Sequence, residues 1–404
     1  MKVMFPCPSD FSAPPHERDF ERWSEADASA RPGRLAALRA RADAEGLDAL
    51  LLTSHADARY FSGICFGPNE EPTAGVSGWL LISADAFAIF ADSRYTVQAR
   101  REAPLATPLD PGSDPGAVIA AWATAHGVRS LGLDPGAIRH AIWERIVESA
   151  PQLSLTPAKG WGVALRAVKE PAEIERIAAA CAVADRALAA VLPQIVPGAT
   201  EAQLAWFLER EMREGGAEAL AFDVAALAGP NAALPHGNPG GRPFSIGEVA
   251  LFDFGAQVGG YRSDMTRTLF VGSASDADLQ LYDRVLRGQE AAVAALRSAV
   301  ERGAPELPSG RDLDHATRER MGDVAGLYEH GLGHGIGLQT HESPSLSRSA
   351  VESPLPSPTV FSVEPGIYLE DRIGIRIEDL VAVDVRGRSL TTLTRFPSAP
   401  LIVG

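Results

Sequence analysis

Three histidines lie close together in a glycine-rich stretch of this chain. His330, His334 and His341 fall within twelve positions, although the 404 residues include only nine histidines. Four glycines separate them. Glycine lets a backbone approach other groups closely, and imidazole binds metals or transfers protons near neutral pH. The stretch therefore predicts a metal or catalytic site, and the alternative is a tight loop whose histidines are bonded internally.

Two aspartates lie upstream in apolar segments that resemble strands. Asp253 ends the run Ala-Leu-Phe-Asp, and Asp264 follows eleven residues later, before a second strand pattern. A hairpin that turns at Gly259 and Gly260 would bring the two side chains face to face. Held together without a cation, two carboxylates repel each other, and burial of an unpaired one is costly. The alternative for Asp253 is a residue at a strand end that caps the next turn.

Two glutamates follow the histidine-rich stretch, again with apolar neighbours. Glu364 and Glu378 are fourteen positions apart, and solvent-facing acids on a sheet edge are the alternative. With Asp253 and Asp264 they supply four negative charges, to which His334 adds a neutral nitrogen. Two divalent cations would neutralise this set. Its oxygen-rich composition favours manganese and also accommodates cobalt or zinc. Paired metals can share a hydroxide and polarise a carbonyl oxygen.

The arrangement of apolar residues predicts two domains. Residues 1–30 are polar and proline-rich, and predict an irregular lead-in. A helix at 34–46 and strands at 49–53, 78–82, 86–90 and 130–133 then predict an α/β domain over residues 31–160. The remaining domain, 161–404, contains a helix that starts at Pro171 and another that starts after a capping box formed by Thr200 and Gln203. Strands at 249–255 and 266–271 and helices at 276–302 and 311–321 complete the prediction.

Composition excludes several classes of protein. The formal net charge is −15, with no basic block, so we expect no nucleic-acid partner. The three cysteines are far apart and show no metal-binding spacing, which excludes a disulfide framework. We also see no signal-peptide pattern and no run of the roughly 18 apolar residues that a membrane span needs. These observations predict a cytoplasmic protein that does not bind membranes.

The order of the candidate ligands resembles one family of enzymes. The chain resembles the pita-bread metallopeptidases, and among them the Xaa-Pro peptidase branch, which contains prolidase and aminopeptidase P. In that branch two aspartates, one histidine and two glutamates ligate a pair of metals in this order. The resemblance implies an α/β N-terminal domain followed by an α+β pita-bread catalytic domain. It also implies five metal ligands: Asp253, Asp264, His334, Glu364 and Glu378.

The resemblance also implies roles for individual residues. Asp264 and Glu378 would bridge the metals, Asp253 would bind one ion, and His334 and Glu364 the other. A metal-bridging hydroxide would attack the carbonyl, and Glu364 would shuttle its proton. Four further residues are expected to contact the substrate or to orient groups that do: His236, His330, His341 and Arg376.

The roles of these further residues differ. His236 would contact the substrate near the scissile bond, and His341 or His236 would stabilise the oxyanion. His330 would bind substrate, and Arg376 would orient Glu378 or one end of the substrate. Two alternatives need no substrate: His236 as an ordinary loop histidine, and Arg376 as a surface residue in an ion pair.

The leading functional hypothesis is hydrolysis of the Xaa-Pro bond, most of all in dipeptides. Xaa-Pro aminopeptidase activity on longer peptides is the alternative, and a non-catalytic peptide-, histone- or RNA-binding module is a remote one. Creatinase is disfavoured because it lacks the metal ligands, and methionine aminopeptidase because it usually lacks so long an N-terminal domain. A dipeptidase needs a cation near the proline carboxylate, for which Arg372 and Arg376 are candidates.

The resemblance implies a homodimer, or a tetramer built of dimers. The N-terminal domain of one chain would then help to wall the active site of another. We expect a turn at Asp92–Tyr95 and a loop at Tyr60–Gly63 to supply this wall. Removal of the N-terminal domain should accordingly increase cleavage of tripeptides.

Overall fold

The computed structural model describes residues 5–67 and 75–404. They form two compact units. One unit is Glu21–Arg166, here the N-terminal unit, and the other is Ala167–Gly404 together with Met1–Phe20, here the C-terminal unit. The division lies a few residues beyond the Lys159–Gly162 segment that we predicted as a boundary.

The N-terminal unit is built on a mixed six-stranded sheet with strand order β4-β3-β2-β1-β5-β6. Strand β1 pairs antiparallel with β2 and parallel with β5, and its four residues are all buried. This confirms the α/β prediction. The elements are α1 (Glu17–Ala44), β1 (Ala49–Leu52), α2 (His55–Ser62), β2 (Leu80–Ser83), β3 (Phe87–Phe90), α3 (Thr96–Glu102), β4 (Thr107–Leu109), α4 (Pro115–Ala125), β5 (Ser130–Leu133), α5 (His140–Ser149), β6 (Ser154–Pro157) and α6 (Trp161–Arg166).

Two local predictions for the N-terminal region are wrong. The segment 1–30 is not irregular throughout, because α1 already begins at Glu17 and contains Pro32. The buried residues of α1 include Trp23, Arg34 and Leu38, which are spaced by whole helical turns, but alanines and polar residues fill most positions between them and obscure the period. Tyr60–Ser62 is the last turn of α2 rather than a loop, and it ends at Gly63 in the left-handed conformation.

The C-terminal unit combines helices with several small antiparallel sheets. Its elements are α7 (Pro171–Val191), α8 (Glu201–Glu214), β7 (Ala219–Leu220), β8 (Ala225–Ala228), β9 (Val249–Phe254), β10 (Ala256–Val258), β11 (Tyr261–Arg262), β12 (Met265–Val271), α9 (Asp276–Glu301), α10 (Gly310–Met321), β13 (Gly333–Gly335), β14 (Glu342–Leu346), β15 (Thr359–Val363), β16 (Gly366–Leu369), β17 (Ile373–Arg376), β18 (Asp379–Asp384), β19 (Ser389–Thr392) and β20 (Ile402–Val403). Short 3₁₀ helices cover Pro8–Asp10, Leu192–Gln194, Gly229–Ala233 and Gly322–Leu327.

Two sheets of this unit carry the candidate ligands. One has the order β20-β12-β9-β8 and the other β14-β13-β15-β18-β19. Helix α9 packs Tyr282 and Val285 into the same buried cluster as Leu251 of β9, and Leu296 into a second cluster with Phe361 of β15. Because one long helix contributes to both cores, the two sheets are held together at a fixed distance.

One helix among the described residues, Pro171–Gln194, is long and apolar enough to cross a membrane on length and composition alone. Most of it is buried within the C-terminal unit. Three of its charged residues, Glu173, Arg176 and Asp185, are buried too, and Asp185 accepts hydrogen bonds from the backbone N–H groups of Arg395 and Phe396. These contacts are those of a helix in a protein core.

Candidate metal centre and active site

The two aspartates lie where one antiparallel strand pair meets a tight hairpin. Strand β9 pairs with β12 so that Asp253 faces Thr266, and Asp264 lies two residues before Thr266. Between them the chain turns at Gly259 and Gly260, whose φ angles of 55° and 81° favour glycine. The predicted hairpin is therefore confirmed, and its register brings both carboxylates to one end of the sheet.

The two glutamates lie opposite each other at a break between two strand pairs. Strand β15 pairs with β18 through Val363 and Asp379, and β16 pairs with β17 through Gly366 and Arg376. The same antiparallel register holds on both sides of the break. It sets Glu364 opposite Glu378, and the Ile377 N–H donates to the Pro365 carbonyl between them at 3.3 Å. The two glutamates, fourteen residues apart in the sequence, are therefore brought together by the hairpin between them.

His334 joins the carboxylates through the short strand β13. Its backbone N–H donates to Ser362 Oγ at 3.0 Å, and its Nδ1 lies 3.1 Å from the Gly335 carbonyl. A carbonyl can only accept, so Nδ1 carries the proton and Nε2 keeps its lone pair. Nε2 lies 3.3 Å from Glu364 Oε1 and 3.8 Å from Asp264 Oδ2. This tautomer is the one that a metal ligand needs.

One cavity of about 480 Å³ brings together the five predicted ligands and the four further residues expected around the substrate. Within it, ligand atoms of Asp264, His334 and Glu378 lie within 4.8 Å of one another. The predicted site residues that line the cavity are Asp253, Asp264, His334, Glu364 and Glu378 together with His236, His330, His341 and Arg376.

The donor set fits divalent metal ions because four carboxylates meet in one cavity, where among the described lining residues only the Arg376 guanidinium offsets their charge. Among the described residues Asp253 Oδ1 and Glu378 Oε1 are buried and have no hydrogen-bond partner. Burial, and then the neighbouring carboxylates, raise the pKa values of Asp264 and Glu378 well above the ordinary range. Burial likewise raises the pKa of Glu364 to about 7. Buried oxygens without partners and mutually repelling acids are the environment that bound cations stabilise.

Arg376 is a buried residue that lines the cavity, not a surface residue. Its Nη2 donates to Asp253 Oδ2 at 2.6 Å, and its Nε donates to Thr266 Oγ1 at 2.9 Å. The Thr266 hydroxyl donates in turn to Glu378 Oε2 at 2.7 Å. Arg376 therefore holds Asp253 directly and Glu378 through one hydroxyl. With the bond from Nη1 to the Tyr368 hydroxyl, these contacts use three of its five N–H groups, and a role of Arg376 toward an end of the substrate stays a prediction.

His330 is bonded to the wall through both ring nitrogens. Nδ1 lies 2.8 Å from the Gly331 carbonyl, and Nε2 lies 2.9 Å from the Tyr368 hydroxyl. Tyr368 also accepts from Arg376 Nη1 at 2.8 Å, so its own proton points to His330. Burial lowers the pKa of His330 to about 4, which keeps the ring neutral near pH 7. Binding of substrate by His330 stays a prediction.

His341 and His236 face the cavity with more freedom. The centroids of the His341 and His334 rings lie 4.3 Å apart, and His341 is exposed. Burial, and then His334, lower the pKa of His341. His236 is exposed on the loop that follows a 3₁₀ helix. Both rings are therefore able to donate to a carbonyl oxygen in the cavity.

The two candidates for the cation near a proline carboxylate lie in different places. Arg372 is exposed and pairs with Asp278 at 2.8 Å, and it does not line the cavity. Arg376 lines the cavity and is bonded to Asp253. Of the two candidates only Arg376 therefore borders the site, because β17 ends at Arg376 and Arg372 lies in the turn.

Sequence reasoning missed three residues that hold the ligands. They are Thr266, Ser362 and Tyr368; Ser362 donates to Glu364 Oε1 at 2.9 Å. A signal was present for all three, because each lies at an even spacing from a predicted ligand: Ser362 and Tyr368 are two and four residues from Glu364, and Thr266 is two residues from Asp264. The contact of Thr266 with Glu378 had no such signal, since it joins residues 112 positions apart.

Comparisons with known proteins agree with this geometry. Residues 175–384, just over half of the chain, match Metallopeptidase family M24, and residues 34–168 match the Creatinase/Prolidase N-terminal domain. An uncharacterized peptidase of Bacillus subtilis is 31% identical over 89% of this chain and 96% of its own length. A Xaa-Pro dipeptidase of Pyrococcus horikoshii is 29% identical over 87% of this chain and 94% of its own.

Solved structures give the same result for the fold. A Xaa-Pro dipeptidase from Bacillus anthracis superposes with a TM-score of 0.82 and 29% identity, covering 92% of this chain and 100% of that one. An X-Pro aminopeptidase from Thermotoga maritima has a TM-score of 0.75 and 33% identity, over 89% and 98% of the two chains. The predicted α/β domain followed by a pita-bread domain is thereby confirmed, and the chain is a member of metallopeptidase family M24 with a creatinase/prolidase N-terminal domain.

Proposed function

We propose that this protein hydrolyses the peptide bond before proline, and that it acts most of all on Xaa-Pro dipeptides. The observation that carries the proposal is the single cavity in which five ligand-type side chains meet. Its relatives in structure and sequence include enzymes named for this bond. A bond to proline has no N–H, so a site that offers no partner for an N–H selects it.

Asp253, Asp264, His334, Glu364 and Glu378 would hold two divalent cations. When bound, such ions supply a water-derived nucleophile at neutral pH and Lewis-acid polarisation of the scissile carbonyl. The side chain of Glu364 would accept a proton and later return it to the proline nitrogen, as a carboxylate beside the reacting groups can. Ser362 fixes one oxygen of this carboxylate by donating to it.

His341 and His236 would donate hydrogen bonds to the oxyanion that develops from the carbonyl. Such donors act mainly on the transition state, and loss of one costs about 10²–10³-fold in kcat. Arg376 and Thr266 keep Asp253 and Glu378 aligned while the charge moves. Manganese as the native metal, a homodimer or tetramer, and a cytoplasmic location are further parts of this proposal.

A specific observation favours the alternative, an aminopeptidase that acts on longer Xaa-Pro peptides. Among the described residues that line the cavity, the only arginine is Arg376, and it is already bonded to Asp253. A dipeptide carboxylate would need another cation there. A non-catalytic binding module is disfavoured, because it would have no use for buried carboxylates that lack partners.

The experiment compares three substrates with the metal-loaded enzyme: a Xaa-Pro dipeptide, a Xaa-Pro-Yaa tripeptide and a dipeptide without proline. The dipeptidase proposal expects cleavage of the first alone. Comparable cleavage of the tripeptide would support the aminopeptidase alternative instead. Cleavage of the proline-free dipeptide as fast as the others would contradict both.

A further inference from the structure

Glu201 is a fully buried acid whose role the helix cap does not explain. Thr200 and Gln203 form the predicted capping box of α8: Thr200 Oγ1 accepts from the Gln203 N–H at 3.3 Å, and Gln203 Oε1 accepts from the Thr200 N–H at 2.9 Å. Glu201 lies between them and contributes nothing to this exchange. Its exposure is 0%, and among the described residues no arginine or lysine pairs with it. A buried carboxylate of this kind is retained only with strong hydrogen-bond partners.

The partners of Glu201 lie at the two ends of one loop and within it. Oε1 accepts from the Ala228 N–H at 2.8 Å and from Asn231 Nδ2 at 2.9 Å, whereas Oε2 accepts from the Gly240 N–H at 2.9 Å. Ala228 is the last residue of β8, and Gly240 lies twelve residues further on. We call residues 229–239 between them the His236 loop. A single carboxylate therefore joins the two ends of this loop.

The backbone at the start of α8 closes the same loop. The Glu201 N–H donates to the Arg242 carbonyl, and the Ala202 N–H donates to the Gly240 carbonyl, both at 3.0 Å. These two N–H groups are among those that a helix leaves without partners in its first turn. The negative charge of Glu201 is also favourable at the positive end of the helix. The first turn of α8 is thus built as the base of the His236 loop.

The side chain of His236 has no hydrogen bond of its own among the described residues. Its position depends on the loop, in which the Leu234 N–H donates to the Asn231 carbonyl and the Gly237 N–H to the Leu234 carbonyl, each at 3.0 Å. These bonds connect Glu201, through Asn231, to the residue that follows His236. A change at the base of the loop is therefore transmitted to the imidazole in the cavity.

We propose that Glu201 is a positioning residue for His236: its carboxylate closes the His236 loop and so aims the imidazole into the cavity. This rests on the proposed function only in the role given there to His236. The substitution that tests it is Glu201→Gln, because an amide nitrogen cannot accept and leaves either Gly240 or the Ala228–Asn231 pair without an acceptor. Gln203→Ala is the matched control, since it weakens the same helix terminus without touching the loop.

Kinetics with a Xaa-Pro substrate are the first readout. Glu201→Gln should lower kcat/KM by about tenfold to a hundredfold, as expected for a small displacement of a reacting group. Bound metal should stay unchanged, and Gln203→Ala should stay within about twofold of wild type. In a His236→Ala background, Glu201→Gln should have no further effect. Additive losses in the double variant, or equal losses in both single variants, would overturn the proposal.

A second readout does not depend on activity. The imidazole signal of His236, assigned by its loss in His236→Ala, should shift or broaden in Glu201→Gln and not in Gln203→Ala. The amides of Ala228 and Gly240 should exchange hydrogen faster in the same variant. If the wild-type enzyme cleaves no Xaa-Pro bond, the proposed function fails but these signals still test the positioning. An unchanged His236 signal with unchanged amide exchange would contradict it.

Discussion

Among the described residues, Asp253 Oδ1 and Glu378 Oε1 are buried carboxylate oxygens without hydrogen-bond partners, and both residues line the cavity that His334 and Glu364 also line. In water such atoms would be solvated, and in a protein core they would be paired. Here the surrounding residues bond only the opposite oxygen of each carboxylate, through Arg376 and Thr266. These two oxygens are thus available to ligands that do not belong to the chain. Substitutions of the individual side chains are therefore expected to have different effects.

The first prediction separates ligands from catalytic donors. His334→Ala should reduce bound metal, because its free Nε2 lies among the carboxylates, and Asp264→Ala or Glu378→Ala should be inactive even at high metal concentration. His341→Ala should keep its metal and lose about 10²–10³-fold in kcat. Metal analysis and kinetics of the purified variants provide the test. A His341→Ala protein as poor in metal as His334→Ala would contradict the assignment.

The second prediction concerns the pH dependence of stability in the metal-free protein. The pKa of Glu364 rises from an ordinary 4.5 to about 7 on folding, and the pKa values of Asp264 and Glu378 rise as well. The folded state then holds these protons more tightly than the unfolded state. Stability is therefore greatest below about pH 4.5 as far as these groups are concerned, and it falls as the pH rises through about 7.

The test is the Tm of chelator-treated protein, measured by thermal unfolding between pH 5 and pH 8. A Glu364→Gln variant is the control, because it retains the other titrating groups and lacks this one. The slope against pH should be smaller in the variant. Addition of manganese should raise Tm most at the higher pH, because metal replaces protons on the carboxylates. If the Tm of the metal-free wild type and the Tm of the metal-free Glu364→Gln variant rise by the same amount over this range, the explanation is excluded.

At the scale of elements, the glycines beside His334 allow β13 to approach its neighbours. A Cβ on Gly333 would lie 2.0 Å from the Ser362 carbonyl oxygen of β15, and one on Gly335 would lie 2.0 Å from the Ser343 carbonyl oxygen. The backbone in these places cannot give way without separating the strands. Glycine density in the histidine-rich stretch therefore reflects close packing of strands as well as access to a site.

This gives the third prediction. Gly333→Ala should lower the free energy of unfolding by about 2 kcal/mol or more, and it should also weaken metal binding because His334 moves with β13. Gly326→Ala is the control, since a Cβ there has nothing within 4 Å. Chemical denaturation and metal titration are the measurements. Equal stability of the two variants would show that β13 tolerates a side chain.

The fourth prediction concerns the buried pair that supports β18. Arg267 Nη2 donates to Asp379 Oδ1 at 2.6 Å, and its Nη1 donates to the Glu378 carbonyl. Arg267→Met would leave Asp379 buried without its cation, at a cost of about 3–5 kcal/mol. Metal affinity should fall as well, because the backbone of Glu378 loses a donor. Arg213→Met, in an exposed pair with Glu209, should change stability by less than about 1 kcal/mol.

At the scale of the whole molecule, the C-terminal unit is built from two separate segments of the sequence, one before and one after the N-terminal unit. Residues up to Phe20 belong with the C-terminal unit: the Phe11 ring stacks on Phe396, and Arg186 donates to the Pro8 carbonyl at 2.7 Å. A deletion of residues 1–160 would remove these contacts together with the N-terminal unit. A variant that lacks only 21–166 is a better test of what that unit does.

The fifth prediction is therefore made for the intact chain first. Light scattering should show a dimer or a tetramer, and the enzyme should cleave dipeptides faster than tripeptides. Removal of 21–166 should increase tripeptide cleavage, provided that circular dichroism shows the remainder to be folded. A monomer that cleaves tripeptides as fast as dipeptides would favour the aminopeptidase alternative.

The sequence by itself determined the residue types of this site, their order and most of the elements that carry them. Asp253, Asp264, His334, Glu364 and Glu378 stood out because charged or imidazole groups in apolar strands are costly without a purpose, and this cost is visible locally. Helices such as Pro171–Val191 and strands such as Ser130–Leu133 were predictable because their periods are local as well.

Only the tertiary structure decided which groups face each other. The opposition of Glu364 and Glu378, the contact of Thr266 with Glu378, and the different fates of Arg372 and Arg376 all depend on strand register. Register is set by pairing between distant segments, and a shift of one residue would turn each side chain to the other face. For the same reason the sequence predicted only the cap of Thr200 and Gln203 at the start of α8, whereas the partners of Glu201, which lie within the His236 loop and at its two ends, are 27 to 39 residues away.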